Sequence, residues 1–343
     1  MLKRRMLLIG RFALCAGFVL FALSCASPAA QEAAAPAATA AAVTHTPAPT
    51  PTPVPTPSPA PTPDPAMAPF TIAWISDTQG YSAAIPETFQ AMTRWIVDNK
   101  EAWNIRYVLH TGDIVNDPTK QRQWDNAYDA MITFKDELPV FAVAGNHDIG
   151  GINHDYSRFG PLMDALAYQQ YPTFGGMEGN GRRRYDLITI GYDDYILIGC
   201  GYVVSRADTD WINKILAQYP DRTAILALHW YLNADLSLQN DGLAIYRNVV
   251  QQNENVKYIF CGHRHTVLRT VQQAPLADGG TREVYAFMGD YQGYPEGGGG
   301  YIWLFTFDPE KREIRATSYS PVKDDYNYFE DESVETFTLP YLE

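Results

Sequence analysis

Five places in this 343-residue sequence gather side chains able to bind a cation or move a proton. They are Asp77-Thr78-Gln79, then Gly112-Asp113 with Asn116 three residues on, then Gly145-Asn146-His147-Asp148, then His229, and last Gly262-His263-Arg264-His265. Carboxylates and carboxamides offer oxygen ligands, and imidazoles offer nitrogen and exchange protons near neutral pH. One such group at the end of a strand is ordinarily a hydrogen-bonded core residue. Five in one chain, holding four of its seven histidines, point instead to a shared site.

Every group follows a short β-rich apolar run. The runs are Thr71 to Ile75, Arg106 to His110, Pro139 to Ala144, Thr223 to Leu228 and Val256 to Cys261, and each has the length and residue types of a strand. Helical patterns lie between them at Pro86 to Asn99, 119 to 137, Asp208 to Tyr219 and Leu243 to Gln252. Two further runs, Tyr185 to Ile190 and Tyr195 to Cys200, straddle turn residues and read as a hairpin, while 149 to 181 reads as irregular. Alternating strands and helices predict an α/β fold, in which the carboxyl ends of the strands line one crevice and the five groups converge. His110, within a strand, reads as a core residue, and His154 as a loop residue. Cys200 and Cys261 sit in apolar runs and read as buried thiols.

The order and spacing of the five groups resemble the calcineurin-like metallophosphoesterases, whose blocks are Asp-x-His, Gly-Asp-x-x-Asn/Asp, Gly-Asn-His-Asp/Glu, a lone His and Gly-His-x-His. Trp74-Ile75-Ser76 before Asp77, Arg184-Tyr185-Asp186-Leu187 and Asp290-Tyr291-Gln292 look like an extracytoplasmic bacterial branch of that superfamily. The resemblance covers about Phe70 to Pro321 and implies a four-layer α/β/β/α sandwich. One position departs from it: Gln79 stands where most of the family has histidine. The exchange leaves the charge of the site alone but replaces a nitrogen ligand with an oxygen, which favours harder ions.

Ester hydrolysis at phosphorus needs a nucleophile at neutral pH, neutralised phosphoryl oxygens and a proton for the leaving group, and two cations supply the first two. The resemblance implies two divalent ions, Mn, Fe, Zn or Mg, one held by Asp77, Gln79, Asp113 and His265 and the other by Asp113, Asn146, His229 and His263, with Asp113 between them. It implies a catalytic role for His147 as the proton donor, with Asn116 orienting it. Arg182 and Arg184, in a run of three arginines, are candidate substrate contacts, and so is Tyr291 beside Gln292 at the end of another apolar run. The implied function is a bimetallic phosphatase or phosphodiesterase acting on a small phosphate ester. The alternative is a surface binding module on the same fold, weakened at the first cation by Gln79.

The rest of the chain reads as an address and a spacer. Lys3, Arg4, Arg5 and Arg11 precede an apolar run from Phe12 to Leu23, so residues 1–25 read as a signal peptide. Ser24-Cys25 at its end resembles a loose lipobox and makes Cys25 the candidate lipidation site. From 26 to 69 the chain is rich in Ala, Thr and Pro, with 13 of the 24 prolines and no Lys, Arg or aromatic residue, and reads as a disordered tether. Alternating proline from Pro47 to Pro65 would hold roughly 60 Å of polyproline II at about 3.1 Å per residue. The catalytic domain is expected at 70–343, anchored outside the cytoplasm as a lipoprotein, or secreted in the alternative. Its 22 basic and 37 acidic residues give a net charge of −15, which disfavours general nucleic-acid binding.

Overall fold

The computed structural model describes residues 64–342. Strands β1 (Phe70–Ile75), β2 (Ile105–His110) and β3 (Val140–Ala142) pair in parallel, and α1 (Gln79–Ala84), α2 (Pro86–Asp98) and α3 (Gln121–Met131) lie between them in the chain. After α4 (Phe159–Ala165) come β4 (Phe174–Glu178), β5 (Arg183–Ile190), β6 (Asp193–Cys200), β7 (Thr223–Leu228), β8 (Val256–Cys261), β9 (Val267–Pro275) and β10 (Thr281–Gly289). Helix α5 (Arg206–Leu216) connects β6 to β7, and α6 (Asn240–Asn248) connects β7 to β8. These seven strands form one sheet in the order β4-β5-β6-β7-β8-β10-β9, with β6, β7, β8 and β10 mutually parallel. The chain then returns to the first sheet through β11 (Ile302–Asp308), β12 (Glu313–Ser320), β13 (Asp325–Tyr326) and β14 (Phe337–Pro340), giving the order β13-β12-β11-β1-β2-β3 with β14 also on β12.

Alternation along the strands makes the layers. Ile72, Trp74, Tyr107 and Leu109 face Ile225, Ala227, Tyr258 and Phe260 in one core between the sheets. Their neighbours Ala73, Ile75, Ile105 and Val108 pack beneath Phe89, Met92 and Ile96 of α2 and Ala127, Ala130 and Met131 of α3. Ala224, Leu226, Ile259 and Cys261 pack beneath Trp211, Ile212 and Ile215 of α5 and Ile245 of α6. Helices thus cover the outer face of each sheet, and the fold is the four-layer α/β/β/α sandwich expected. Trp74 meets Phe260 edge-on across the middle layer at 5.0 Å between ring centroids, fixing one sheet against the other.

Several expectations about elements need correction. Gln79–Ala84 is helical, although six residues are too few for a periodic signal. The stretch read as irregular contains α4 and β4. β3 is shorter than its apolar run, because the Ala144 carbonyl accepts the N–H of Tyr202 instead of extending the ladder. At the start of the described chain, Asp64 caps a 3-10 turn over Pro65–Met67 and accepts a hydrogen bond from Tyr192, so the contacts of the folded body begin before residue 70. Cys200 and Cys261 are buried free thiols. The signal-peptide reading, most of the tether and Cys25 lie outside the described residues. No helix among the described residues is long and apolar enough to cross a membrane.

Candidate functional site

β1, β2, β3, β7 and β8 end at the same edge of the sandwich, and the backbone there is unusual. Asp77, Asp113, His263 and His265 have φ of 51°, 55°, 76° and 50°. Left-handed backbone at such residues costs about 1–3 kcal/mol each and persists only where the surroundings hold it. Two glycines let the loops close up. A Cβ on Gly145 would lie 2.1 Å from Asp113 Oδ1, and one on Gly262 would lie 2.0 Å from Asp77 Oδ2. The fully buried Asp148 ties the β2 and β3 loops together: Oδ1 accepts the N–H groups of Ile114 (2.8 Å) and Val115 (3.0 Å), and Oδ2 that of Gly145 (2.8 Å).

Within this frame the side chains converge. Asp113, His229 and His263 each offer a ligand atom within 4.8 Å of the other two. His229 Nε2 lies 3.3 Å from Asp113 Oδ2, 3.0 Å from Asn146 Oδ1 and 3.1 Å from His263 Nδ1, and its Nδ1 is 2.9 Å from the Thr111 carbonyl. The Thr111 carbonyl can only accept, so Nδ1 carries a proton and Nε2 faces the cluster. Gln79 Nε2 donates to Asp113 Oδ2 at 3.1 Å. The Asp77 carboxylate accepts the N–H of His263 at 3.1 Å. His265 is exposed, and its N–H goes to the buried Asp290 at 2.6 Å.

The electrostatics show what this donor set lacks. Burial, then the charge of Asp290, holds the Asp77 carboxyl well above the ordinary carboxylate range, and Asp113 adds to the effect. Burial opposes a charge on His229, yet Asp113 outweighs it and pushes the imidazole up to about 10. Burial and that neighbouring charge drive His263 down to about 3. One proton on His229 is thus recruited against several buried carboxylates. In addition, the buried Oε1 of Gln79 has no hydrogen-bond partner. Carboxylates short of positive charge, imidazole nitrogens and an orphaned carbonyl oxygen form a donor set that fits divalent cations.

His147 stands beside this cluster. Its N–H donates to Asp113 Oδ1 at 2.9 Å, and its ring Nδ1 is 2.7 Å from the Asn116 carbonyl. Asn116 therefore meets His147 through its backbone, and its own N–H donates to Gln123.

Three candidate substrate contacts are committed elsewhere. Arg184 is 3% exposed and spends its guanidinium on both carboxylate oxygens of Asp186 and on the Val140 carbonyl, stacked against Tyr168. Arg182 pairs with the buried Asp208 and contacts His154 and the Val203 carbonyl. The Tyr291 hydroxyl donates to Glu335 inside the core. Neither Arg184 nor Tyr291 presents its polar group to solvent, which corrects their reading as substrate contacts.

Other residues enter unannounced. Tyr202 and Trp230 flank His263, with ring centroids at 5.4 Å and 4.9 Å, and Arg264 lies over the Trp230 ring at 5.5 Å. The available signal for Tyr202 was its position just past β6, a strand parallel to β7. Asp148 and Asp290 belong to the Gly145-Asn146-His147-Asp148 and Asp290-Tyr291-Gln292 segments, but bracing roles such as theirs depend on loop geometry.

A family model described as calcineurin-like phosphoesterase matches residues 70–267. The uncharacterized protein YvnB of Bacillus subtilis (strain 168) is 38% identical over 266 residues, a match covering 76% of this chain and 20% of that protein. The chain therefore spans about a fifth of the length of this curated relative. Among solved structures, purple acid phosphatase PPD1 from yellow lupin (Lupinus luteus) seeds is similar with a TM-score of 0.51 at 13% identity, covering 80% of this chain and 54% of that one.

Proposed function

Because this chain belongs to the calcineurin-like phosphoesterase family, whose members are metal-dependent hydrolases, we propose that it hydrolyses phosphomonoester or phosphodiester bonds at the strand-end cluster. The observation that carries this reading is the approach of Asp113, His229 and His263 to within 4.8 Å, beside the orphaned oxygen of Gln79. Asp77, Gln79, Asp113 and His265 would hold one divalent ion, and Asp113, Asn146, His229 and His263 a second. When bound, such ions supply a nucleophile at neutral pH and Lewis acidity toward phosphoryl oxygens.

The remaining work falls to the chain's own side chains. The Asn116 carbonyl can only accept, so His147 Nδ1 carries a proton in that contact, and when the ring is protonated at both nitrogens Nε2 is the one left to deliver its proton to the leaving oxygen. Asp113 fixes the backbone of His147 and contacts His229, so one carboxylate registers the proton donor against the cation ligands. Tyr202 and Trp230 pack their rings against His263 and hold it in place.

We assign the protein to the outside of the cytoplasm, in a branch of the family with Asp-x-Gln as its first motif and a lipid on Cys25 as its anchor. The charged and apolar order of residues 1–25 supports this, and Cys25→Ala tests it: the variant is expected to leave the membrane fraction or stay unprocessed. Unchanged fractionation and electrophoretic mobility would contradict the anchor.

The activity is tested on the full chain with an aryl phosphate monoester and a diester, each under Mn, Fe, Zn or Mg and again with a chelator. Turnover of at least one ester, abolished by the chelator, is expected. No turnover under any ion, with less than one ion bound per chain, would instead identify a binding module.

A further inference from the structure

The carboxamide of Gln79 has one orientation, and the hydrogen bonds around it say which. Its side chain is buried, and the nitrogen lies 3.1 Å from Asp113 Oδ2 and 2.7 Å from Gln292 Oε1. A carboxylate oxygen can only accept, so the atom facing Asp113 is the NH2 group, and its second N–H goes to Gln292. Both donors are then used. Among the described residues Oε1 is left as a buried acceptor without a partner, an arrangement that is costly unless something outside the protein fills it.

We infer that Gln292 is a positioning residue that fixes Gln79 with its oxygen toward the cation of the proposed metal centre. The inference rests on the metal-dependent reading of that centre. Asp113 is the weaker holder of the amide, because its Oδ2 is shared with His229 and is itself a candidate cation ligand. Once Asp113 is engaged, Gln292 is the remaining hydrogen-bond partner among the described residues that opposes rotation about the last side-chain torsion of Gln79, a torsion with no sharp minimum of its own. Rotation would present the amide nitrogen, which has no lone pair to give.

Gln292 is in turn held by a carboxylate. Its N–H donates to Asp290 Oδ1 at 2.9 Å, while Asp290 Oδ2 accepts the N–H of His265 at 2.6 Å and the Asp290 N–H donates to the Thr266 carbonyl at 3.2 Å. Asp290 is fully buried. The loop carrying His263 and His265 and the loop carrying Gln292 are thus braced by one side chain.

The test is calorimetric titration of the metal-stripped full chain with Mn2+ alone. Gln292→Leu is expected to weaken Mn2+ binding at one site by about tenfold to a hundredfold, the usual cost of removing a group that orients a ligand. Gln292→Glu keeps the acceptor oxygen and is expected to bind as tightly as the wild type or more tightly. In a Gln79→Ala background, Gln292→Leu is expected to have no further effect, because the amide it orients is gone. Metal-free melting midpoints should stay within about 2 °C of the wild type, separating positioning from support of the fold. The inference is overturned if Gln292→Leu binds Mn2+ like the wild type while Gln79→Ala does not, or if Gln292→Leu weakens binding equally with and without Gln79. If Gln79→Ala itself binds like the wild type, Gln79 is no ligand, and its place in the metal centre falls together with the positioning role.

Discussion

Asp113→Asn is expected to lower turnover by about 10³-fold or more and to reduce bound metal, with aryl and alkyl esters affected alike. Lewis-acid stabilisation is worth several kcal/mol, and each 1.4 kcal/mol is about a decade in rate. Asparagine keeps what is structural at this position. It tolerates the left-handed backbone at φ 55° better than most non-glycine residues, and its carbonyl oxygen can still accept the N–H of His147. It removes the negative charge that contacts both Gln79 and His229. Metal content and turnover are measured on the same preparation. A variant that keeps its metal and turns over within tenfold of the wild type would show that Asp113 does not carry the centre.

His147→Ala separates proton delivery from cation binding. The ring contacts the Asn116 carbonyl, and only the backbone N–H of His147 reaches Asp113. Alanine retains that N–H, so bound metal should be unchanged. Turnover of an alkyl ester should fall by about 10²-fold or more, the usual contribution of a positioned acid. The loss should shrink for a nitrophenyl ester, whose leaving group departs without a proton. Equal losses on both esters, or loss of metal, would make His147 a phosphate contact or a ligand and not the acid.

The contrast between these two variants shows which part of the site was legible before the structure. Asp77, Asp113, Asn146, His229 and His263 each follow a strand whose short apolar run is plain in the sequence, and within each sheet parallel order sends the ends of such strands to one edge. What the pattern could not give was partnership across loops. Arg182 and Arg183 meet Asp208 some 25 residues away, and no local signal connects them. Arg184 is different: Asp186 lies two residues on, on the same face of β5, and that spacing predicts the pair. β4 was hidden for another reason. Its Gly175 accommodates the ring of Tyr185, whose nearest atom would lie 2.2 Å from a Cβ at that position, so glycines that resemble a loop are what the cross-strand packing requires. The short helix α1 carries too few residues for periodicity, yet it places Gln79 at its first turn.

On the proposed function, the cluster of Asp113, His229 and His263 would hold the metal on which hydrolysis depends. The most direct measurement is anomalous diffraction from crystals of the protein grown with Mn2+, collected above and below the manganese absorption edge, beside the same measurement on Asp113→Asn. Anomalous density is expected within bonding distance of the Asp113 carboxylate, His229 Nε2 and His263 Nδ1 in the wild type, diminished or lost in the variant. Density confined to other places on the surface, with ester hydrolysis persisting in chelator, would contradict this reading.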